Sequence, residues 1–341
     1  MPAVIAEYVD RLCTIEMRPS TGNLPRGMMH RLYAVARPEG EKPLTLAMAE
    51  ALVDRVKPGD TVFILTGAGG PPVLPRGEVD GLLGAAALAR ALTLSCGARV
   101  VLLTEERTEQ PLGAVVRAAG LNFGRLDVEF VAPAARFVPM SLDAGECEAQ
   151  AGQLLDEHSP ATVIAIEKLS PNVKGVIHGS TGISYDDNHA KPQFLFDEAK
   201  RRGILTAGIG DGGNECGFGK VAEEVADIIP AGRVCECPCG AGNIAAVATD
   251  HLVVAAISNW GGYGVAAMIA YLKGEPASAL LNADDLERML RACVDNGAYD
   301  GAFARPLLSD DGVPLEAHRA FMTMLRGIVE IGRSELASPG H

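Results

Sequence analysis

The sequence predicts an α/β protein: a mostly parallel, Rossmann-like sheet with helices on both faces and extra helices at the N- and C-terminal ends. Short apolar runs of strand length alternate with segments of helical spacing. Strand, loop and helix repeated in that rhythm imply right-handed crossovers, and so parallel neighbours. A glycine loop, Gly208–Lys220, then follows an apolar run, at a place where α/β proteins carry ligand-binding loops.

Residues 1–43 read as an N-terminal arm or cover, with an amphipathic helix over Ala3–Leu12 and then a polar stretch broken by Pro19, Gly22, Pro25 and Gly27. Residues 44–334 read as a single α/β catalytic domain. Helix Leu44–Val56 stops at Lys57-Pro58-Gly59-Asp60, and strand Thr61–Thr66 follows at once. A loop rich in Gly and Pro runs to Gly77 and leads into an alanine-rich helix, Leu82–Leu94. Strand Arg99–Thr104, helix Leu112–Ala119 and strand Asp127–Val131 come next, with a Pro-rich loop to Pro139. Helix Ala144–Glu157 precedes strand Thr162–Ile166. The long loop Lys168–Lys191 is expected to be a lid or binding loop rather than filler. Helix Phe194–Arg202 delivers the chain to strand Ile204–Ile209. Beyond the glycine loop, Phe218–Val225 reads as helix, Asp227–Ile229 as a short strand and Thr249–Ala256 as a strand. Helices Val265–Lys273, Asp284–Asp295 and Pro314–Ser334 complete the chain, with frayed residues after them.

A formal net charge of −13 argues against nucleic acid or an anionic membrane as partner, since either needs a basic face. Glu7, Asp10 and Arg11 interrupt what an export signal would keep apolar, and no apolar run reaches the length of a membrane span. A cytoplasmic protein with a small-molecule substrate is therefore expected, with a homo-oligomer left open. The eight cysteines fit reduced thiols, as a chain of this size does not depend on disulfides. Cys235, Cys237 and Cys239 could offer three sulfurs to a soft metal, but the usual two-residue knuckle and a second cluster are missing, so structural thiols are expected.

Ligands of open α/β sheets bind beyond the carboxyl ends of the strands, which selects the loops after Thr66, Glu167 and Gly210. Six of the thirteen residues of Gly208–Lys220 are glycine, so its backbone can approach a ligand closely. Asp211, Asn214 and Glu215 are what that loop presents: two carboxylates and an amide able to hold an amine, a hard cation or a reacting carbonyl, or simply to cap a helix. Glu78 and Asp80 lie near a helix N-terminus, where the dipole alone would favour them. His178, in the long loop, is by default solvated but well placed to touch substrate. Asn259 is a candidate pocket amide and Trp260 a candidate wall, although tryptophan more often packs in a core.

In order along the chain stand Gly77-Glu78-Val79-Asp80-Gly81, Gly210-Asp211-Gly212-Gly213-Asn214-Glu215, Ser258-Asn259-Trp260-Gly261 and Gly297-Ala298-Tyr299-Asp300-Gly301. Together they resemble the D-glutamate cyclase family, from about Leu44 to Val329. The resemblance implies a carbon–oxygen lyase of amino-acid metabolism that closes D-glutamate to 5-oxo-D-proline with loss of water. It also raises Glu78, Asp80, Asp211 and Glu215, with Asn214, Asn259 and Asp300, from caps to site groups. One departure stands out: where the family carries arginines after a glutamate matching Glu167, this chain has Lys168, then Lys174 and His178. Lysine and histidine do not reproduce the bidentate fork an arginine offers a carboxylate, so the substrate is either D-glutamate held in another geometry or a related amino acid or lactam.

Lactam closure needs a neutral amine and an oxygen that leaves as water, so a pair of carboxyl groups in unlike environments is expected, one ionised and one protonated. Asp211 and Glu215 are assigned that pair, with Glu167 beside them and Asn214 and the amides of Gly212 and Gly213 steadying an oxyanion. No cofactor is certain, but carboxylates converging on one cleft would repel unless protons or a cation lay among them. Mg²⁺ or Mn²⁺ on Glu78, Asp80, Asp211 and Glu215 is therefore a candidate. Glu78, Glu167, Asp211 and Glu215 should then meet at one rim of the sheet. A non-catalytic binder of a small metabolite on the same fold is the alternative. A nucleotide-dependent enzyme fits less well, because the glycine loop lacks the spacing of a phosphate loop or dinucleotide fingerprint.

Overall fold

A computed structural model describes residues 1–19, 25–130 and 132–333. The chain opens with three helices, α1 (Pro2–Cys13), α2 (Met28–Ala36) and α3 (Leu44–Arg55), and then builds a seven-stranded, wholly parallel sheet. In chain order the elements are β1 (Thr61–Thr66), α4 (Leu82–Cys96), β2 (Arg99–Glu105), α5 (Glu109–Ala118), β3 (Asn122–Arg125), β4 (Ala134–Met140), α6 (Ala144–His158), β5 (Thr162–Ile166), α7 (Gln193–Arg201), β6 (Leu205–Gly210), the short α8 (Ala222–Ala226), β7 (His251–Val254), α9 (Ser258–Leu272) and α10 (Ala283–Asp295). A small hairpin of β8 (Ser309–Asp310) and β9 (Val313–Pro314) precedes α11 (Leu315–Arg333).

The strand order is β3-β4-β2-β1-β5-β6-β7. The chain starts in the middle, builds outward through β2 and then returns to the other side of β1, so the order reverses between β1 and β5. That reversal opens the crevice in which open α/β sheets take ligands. Register fixes the level of the rim: Thr66 pairs with Ile166, and Ile166 with Ile209, so the loops after β1, β5 and β6 leave the sheet side by side.

Side chains alternate across the sheet as the pleat requires. From β1, Val62 and Ile64 join the larger core with α1, α3, α4, α5, α9 and α11, while Phe63 and Leu65 join the smaller one with α6 and α7. Helices α4 and α9 cross in close contact at glycines: a Cβ on Gly262 would sit 2.8 Å from the Gly84 Cα and 2.7 Å from the Ile166 Cδ1. Helix α9 thus begins at Ser258 rather than at the expected Val265, because those glycines thin a buried helix so that it can lie on its neighbour.

Two expected strands do not form. Residues 127–130 are irregular and largely exposed, and residue 131 lies outside the described residues. The strand is instead β4, whose Ala135, Phe137, Val138 and Met140 are buried. Its Pro139 is tolerated because β3 ends opposite Phe137, so no neighbour on that side needs the missing N–H. Asp227–Ile229 forms turns after α8 rather than a strand, and the helix expected over Phe218–Val225 is reduced to one tight turn and α8. Helix α2 falls inside the segment read as polar arm and buries Met28, Met29 and Leu32. The expected frayed end, with Ser334, lies outside the described residues. No helix among the described residues is long and apolar enough to cross a membrane.

Candidate active site

At the reversal point lies a cavity of about 250 Å³ whose wall includes Glu78, Glu167, Asp211, Glu215 and Asp311 together with Arg18. The four acids expected to converge therefore line one space, and each is held differently. Glu167 follows β5 directly with a φ of 46°, a left-handed conformation that a side-chain-bearing residue adopts only when its surroundings force it. Its Oε2 accepts from the Ser258 hydroxyl at 2.5 Å. The glycine loop folds back on its own acid: Gly212 N–H and Gly213 N–H each donate to the Glu215 carboxylate at 2.8 Å. Asp80 sits just behind the wall, where it accepts from Gly81 N–H at 2.8 Å, Ser258 N–H at 2.9 Å and Asn259 N–H at 2.7 Å. It thus caps the first turn of α9, with one oxygen within 4.8 Å of one of Asp211 on the cavity side.

The hairpin β8–β9 brings two more acids. Asp311 and Gly312 form its turn with φ values of 50° and 75°, as a tight two-residue hairpin requires. Asp311 thereby faces the cavity, while buried Asp310 accepts from Asn259 Nδ2 at 2.7 Å. The counter-charge is Arg18, from the segment after α1: its Nη1 lies 2.9 Å from an oxygen of Asp211 and 2.9 Å from one of Asp311.

Five carboxyl groups on the wall and one guanidinium cannot all be ionised without a large repulsion. Burial, then the neighbouring acids, pushes Glu78, Asp80, Glu167 and Asp310 well above the usual carboxylate range. Asp211 rises less, to about 6, because Arg18 opposes its burial, and Asp311 rises to about 7. The cavity is a store of protons near neutral pH, in which some members are acids and others bases.

The same oxygens suit a hard cation. One oxygen each from Asp80, Asp211 and Asp311, or from Glu167, Asp211 and Glu215, lie within 4.8 Å of one another, and Asp211 belongs to both sets. Buried Asp310 Oδ1 and Thr66 Oγ1 have no hydrogen-bond partner among the described residues. All-oxygen donors of this kind fit Mg²⁺ or Mn²⁺. A second cavity of about 260 Å³, walled chiefly by alkyl side chains of α4, α9 and α11, carries no such cluster.

Not every expected residue reaches the cavity. Asn214 and Gly212 line it, but the Asn214 amide donates to the His178 carbonyl at 2.9 Å, and the amides of Gly212 and Gly213 are taken by Glu215. Those amides are not free to steady an oxyanion. Lys168 is wholly buried, its Nζ 2.5 Å from Glu105, because the residue after Glu167 turns into the core. The His178 ring points away, toward Cys237 at 3.1 Å. Asn259 bridges Gly84, Val79 and Asp310 as an internal clamp. Trp260 is core: it stacks on Phe321 and donates to His318 at 2.9 Å. Asp300 accepts from Ser309 Oγ at 2.6 Å and Gly312 N–H at 2.8 Å, which shapes the hairpin that presents Asp311.

Sequence reasoning missed Arg18, Ser258, Asp310 and Asp311. The Asp311-Gly312 pair between Ser309-Asp310 and Val313 is a hairpin signal that could have found the last two. Nothing local marks Arg18.

The sequence model of the family described as D-glutamate cyclase-like, C-terminal, matches residues 31–326. Human mitochondrial D-glutamate cyclase is 27% identical over 290 residues, covering 77% of this chain and 44% of that protein. The chain therefore spans less than half the length of the curated relative it matches.

Proposed function

Since the chain belongs to the D-glutamate cyclase-like family, we propose that it is a lyase-type enzyme that closes D-glutamate, or a closely related amino acid, to its lactam with loss of water. The observation that carries this reading is the cavity lined by Glu167, Asp211 and Asp311, in which Arg18 pairs with the two aspartates. In the reaction the amine nitrogen bonds to the side-chain carboxyl carbon and a carbon–oxygen bond breaks. Two protons leave the ammonium and two arrive on the departing oxygen, so the site has to carry protons across rather than supply them.

Asp211, at about 6, is mostly ionised at neutral pH and takes the proton from the ammonium. Glu167, held well above the carboxylate range first by burial and then by Asp211, stays protonated and donates to the leaving oxygen. Glu215, whose carboxylate holds two amides of its own loop, keeps the glycine turn in shape. That division moves the acid role from Glu215 to Glu167. Arg18 takes the place of the arginines the family carries after the matched glutamate and receives a substrate carboxylate, releasing Asp211. A divalent cation held by Asp80, Asp211 and Asp311, with Asp211 offering one oxygen to it, would polarise the carboxyl under attack. Arg18 reaches the site from the segment after α1.

The test is a substrate panel, D-glutamate, L-glutamate, D-glutamine and 5-oxo-D-proline, followed by chiral chromatography with Mg²⁺ or Mn²⁺ added and then withdrawn. Lactam from the D-amino acid supports the reading. No turnover of any member by folded protein with either cation present would refute it. Thermal stabilisation by a panel member without product would point instead to a small-metabolite binder.

A further inference from the structure

Among the described residues, one cluster outside the acidic cavity has no part in the proposed reaction: His178 with Cys235, Cys237 and Cys239. We propose that these four side chains bind one zinc ion as a closed, tetrahedral, structural centre. The Cys235 Sγ lies 3.6 Å from that of Cys237 and 3.3 Å from that of Cys239. The His178 Nε2 lies 3.1 Å from the Cys237 Sγ and 3.7 Å from the Cys239 Sγ. Zinc bonds to sulfur and imidazole nitrogen put the edges of a tetrahedron at about 3.8 Å between sulfurs and about 3.6 Å between sulfur and nitrogen. The observed separations are close to those edges and well over 1 Å longer than a disulfide bond.

The surroundings also fit. Cys239 N–H points at the Cys237 sulfur at 3.4 Å, and the Asn172 amide donates to the Cys239 sulfur at 3.3 Å, contacts that favour thiolate over thiol. Cys237 and Cys239 are only half-buried, which leaves an entry path for the ion. Three sulfurs and an imidazole select zinc over the hard cations that suit the carboxylates. The spacing of the cysteines hides the site because its fourth ligand arrives from the long loop, far upstream.

A centre here has a clear structural task. Residues 227–250 contain no helix or strand, and the chain from 168 to 185 has only isolated bridges, among them Pro171 with Ile177 and His178 with Ser184, so neither segment has an extended ladder to hold it. The ion would staple the two together at His178. The next three residues, Gly179, Ser180 and Thr181, line the cavity, and the His178 carbonyl holds the Asn214 amide. Zinc would thus fix one wall of the site without touching the substrate, whichever substrate that is.

The test is metal analysis of full-length protein purified under reductant and without chelator, followed by replacement of the metal with Co²⁺. About one equivalent of zinc per chain is expected. The cobalt form should show a near-ultraviolet thiolate-to-cobalt band and the visible bands of tetrahedral cobalt, which the oxygen donors of the acidic cavity cannot produce. Cys237→Ser and His178→Ala should each lower zinc affinity at least about tenfold, while Cys96→Ser, in the core elsewhere, leaves it unchanged. The cobalt titration of the unaltered chain decides the matter even if these variants do not fold. No stoichiometric zinc together with no thiolate–cobalt band overturns the proposal. So does a disulfide among the three cysteines in protein kept reduced.

Discussion

Arg18→Met removes the guanidinium and keeps most of its aliphatic bulk, which makes the charge balance of the cavity measurable. With Arg18 2.9 Å from both partners, Asp211 titrates at about 6 and Asp311 at about 7. Both values are raised, so the folded chain holds protons that the unfolded chain has shed. Stability from these groups is full below the unfolded value near 4 and is lost as pH rises through 6 and 7. Without Arg18 both groups titrate higher still, and the loss continues beyond the point at which the wild type levels off. At pH 5 both carboxyls are protonated in either protein, and the difference closes to a small packing change. At pH 8 the variant holds two protons that the wild type has released, two pH units above Asp211 and one above Asp311. At about 1.4 kcal/mol per unit the upper limit is about 4 kcal/mol. That agrees with the cost of about 3–5 kcal/mol for removing one partner of a buried ion pair. It corresponds to a fall in Tm of roughly 8 °C for a large domain. Calorimetry at pH 5 and pH 8, without added divalent cation, reads the difference directly. Equal losses at the two pH values, or none at pH 8, would show that Arg18 does not balance these acids.

Two further substitutions separate chemistry from support. Asp211→Asn keeps the shape of the proposed base and removes its charge, so turnover should fall at least about a hundredfold with an unchanged circular dichroism spectrum; near-wild-type turnover would take Asp211 out of the mechanism. Lys168→Met should leave the KM of the folded fraction unchanged but destabilise the chain by about 3–5 kcal/mol, measured by urea unfolding at pH 7. The reason is Glu105: burial alone would raise it, but Lys168 at 2.5 Å outweighs burial and holds it at about 2. The stability it gives is present above the unfolded carboxylate value and is lost as pH falls toward 2. Adding Glu105→Gln to Lys168→Met should therefore recover part of the loss, and a double variant no more stable than the single would contradict the pairing.

Strands β1 and β5 were legible to the residue because Thr61–Thr66 and Thr162–Ile166 are unbroken apolar runs with sharp stops. The rim was legible too, since parallel strands place their following loops together. Strand β4 was not, because Arg136 and Pro139 disguise a strand whose partner β3 ends before the proline. The start of α9 was not, because Gly261, Gly262 and Gly264 read as loop punctuation until the helix packed against them is known. That misreading carried into the site. Asn259 and Trp260 look like pocket residues when strung on a loop, but on the first turn of a buried helix their side chains go to the interior, while the Ser258 and Asn259 amides bond Asp80 and the Ser258 hydroxyl bonds Glu167. Arg18 belongs to the same class of miss, since a contact between residue 18 and residues 211 and 311 leaves no trace in local pattern.

The origin of Arg18 also bears on how the cavity works. The family match begins at residue 31, so all seven acids in and behind the cavity wall fall inside it and their guanidinium partner falls outside. Arg18 follows α1, whose Ile5, Ala6, Val9, Leu12 and Cys13 are buried in the larger core, so the packing of α1 and the ion pairs with Asp211 and Asp311 together hold it at the wall. The ion pairs, unlike that packing, depend on ionisation: as Asp211 and Asp311 take up protons, their attraction for Arg18 weakens. In the proposed reaction a substrate carboxylate would compete for the same guanidinium, and each bond it won would return negative charge to Asp211, the proposed base. Under that mechanism, binding at one end of the substrate would strengthen the base needed at the other, a coupling that Lys168, sealed against Glu105 in the core, could not provide.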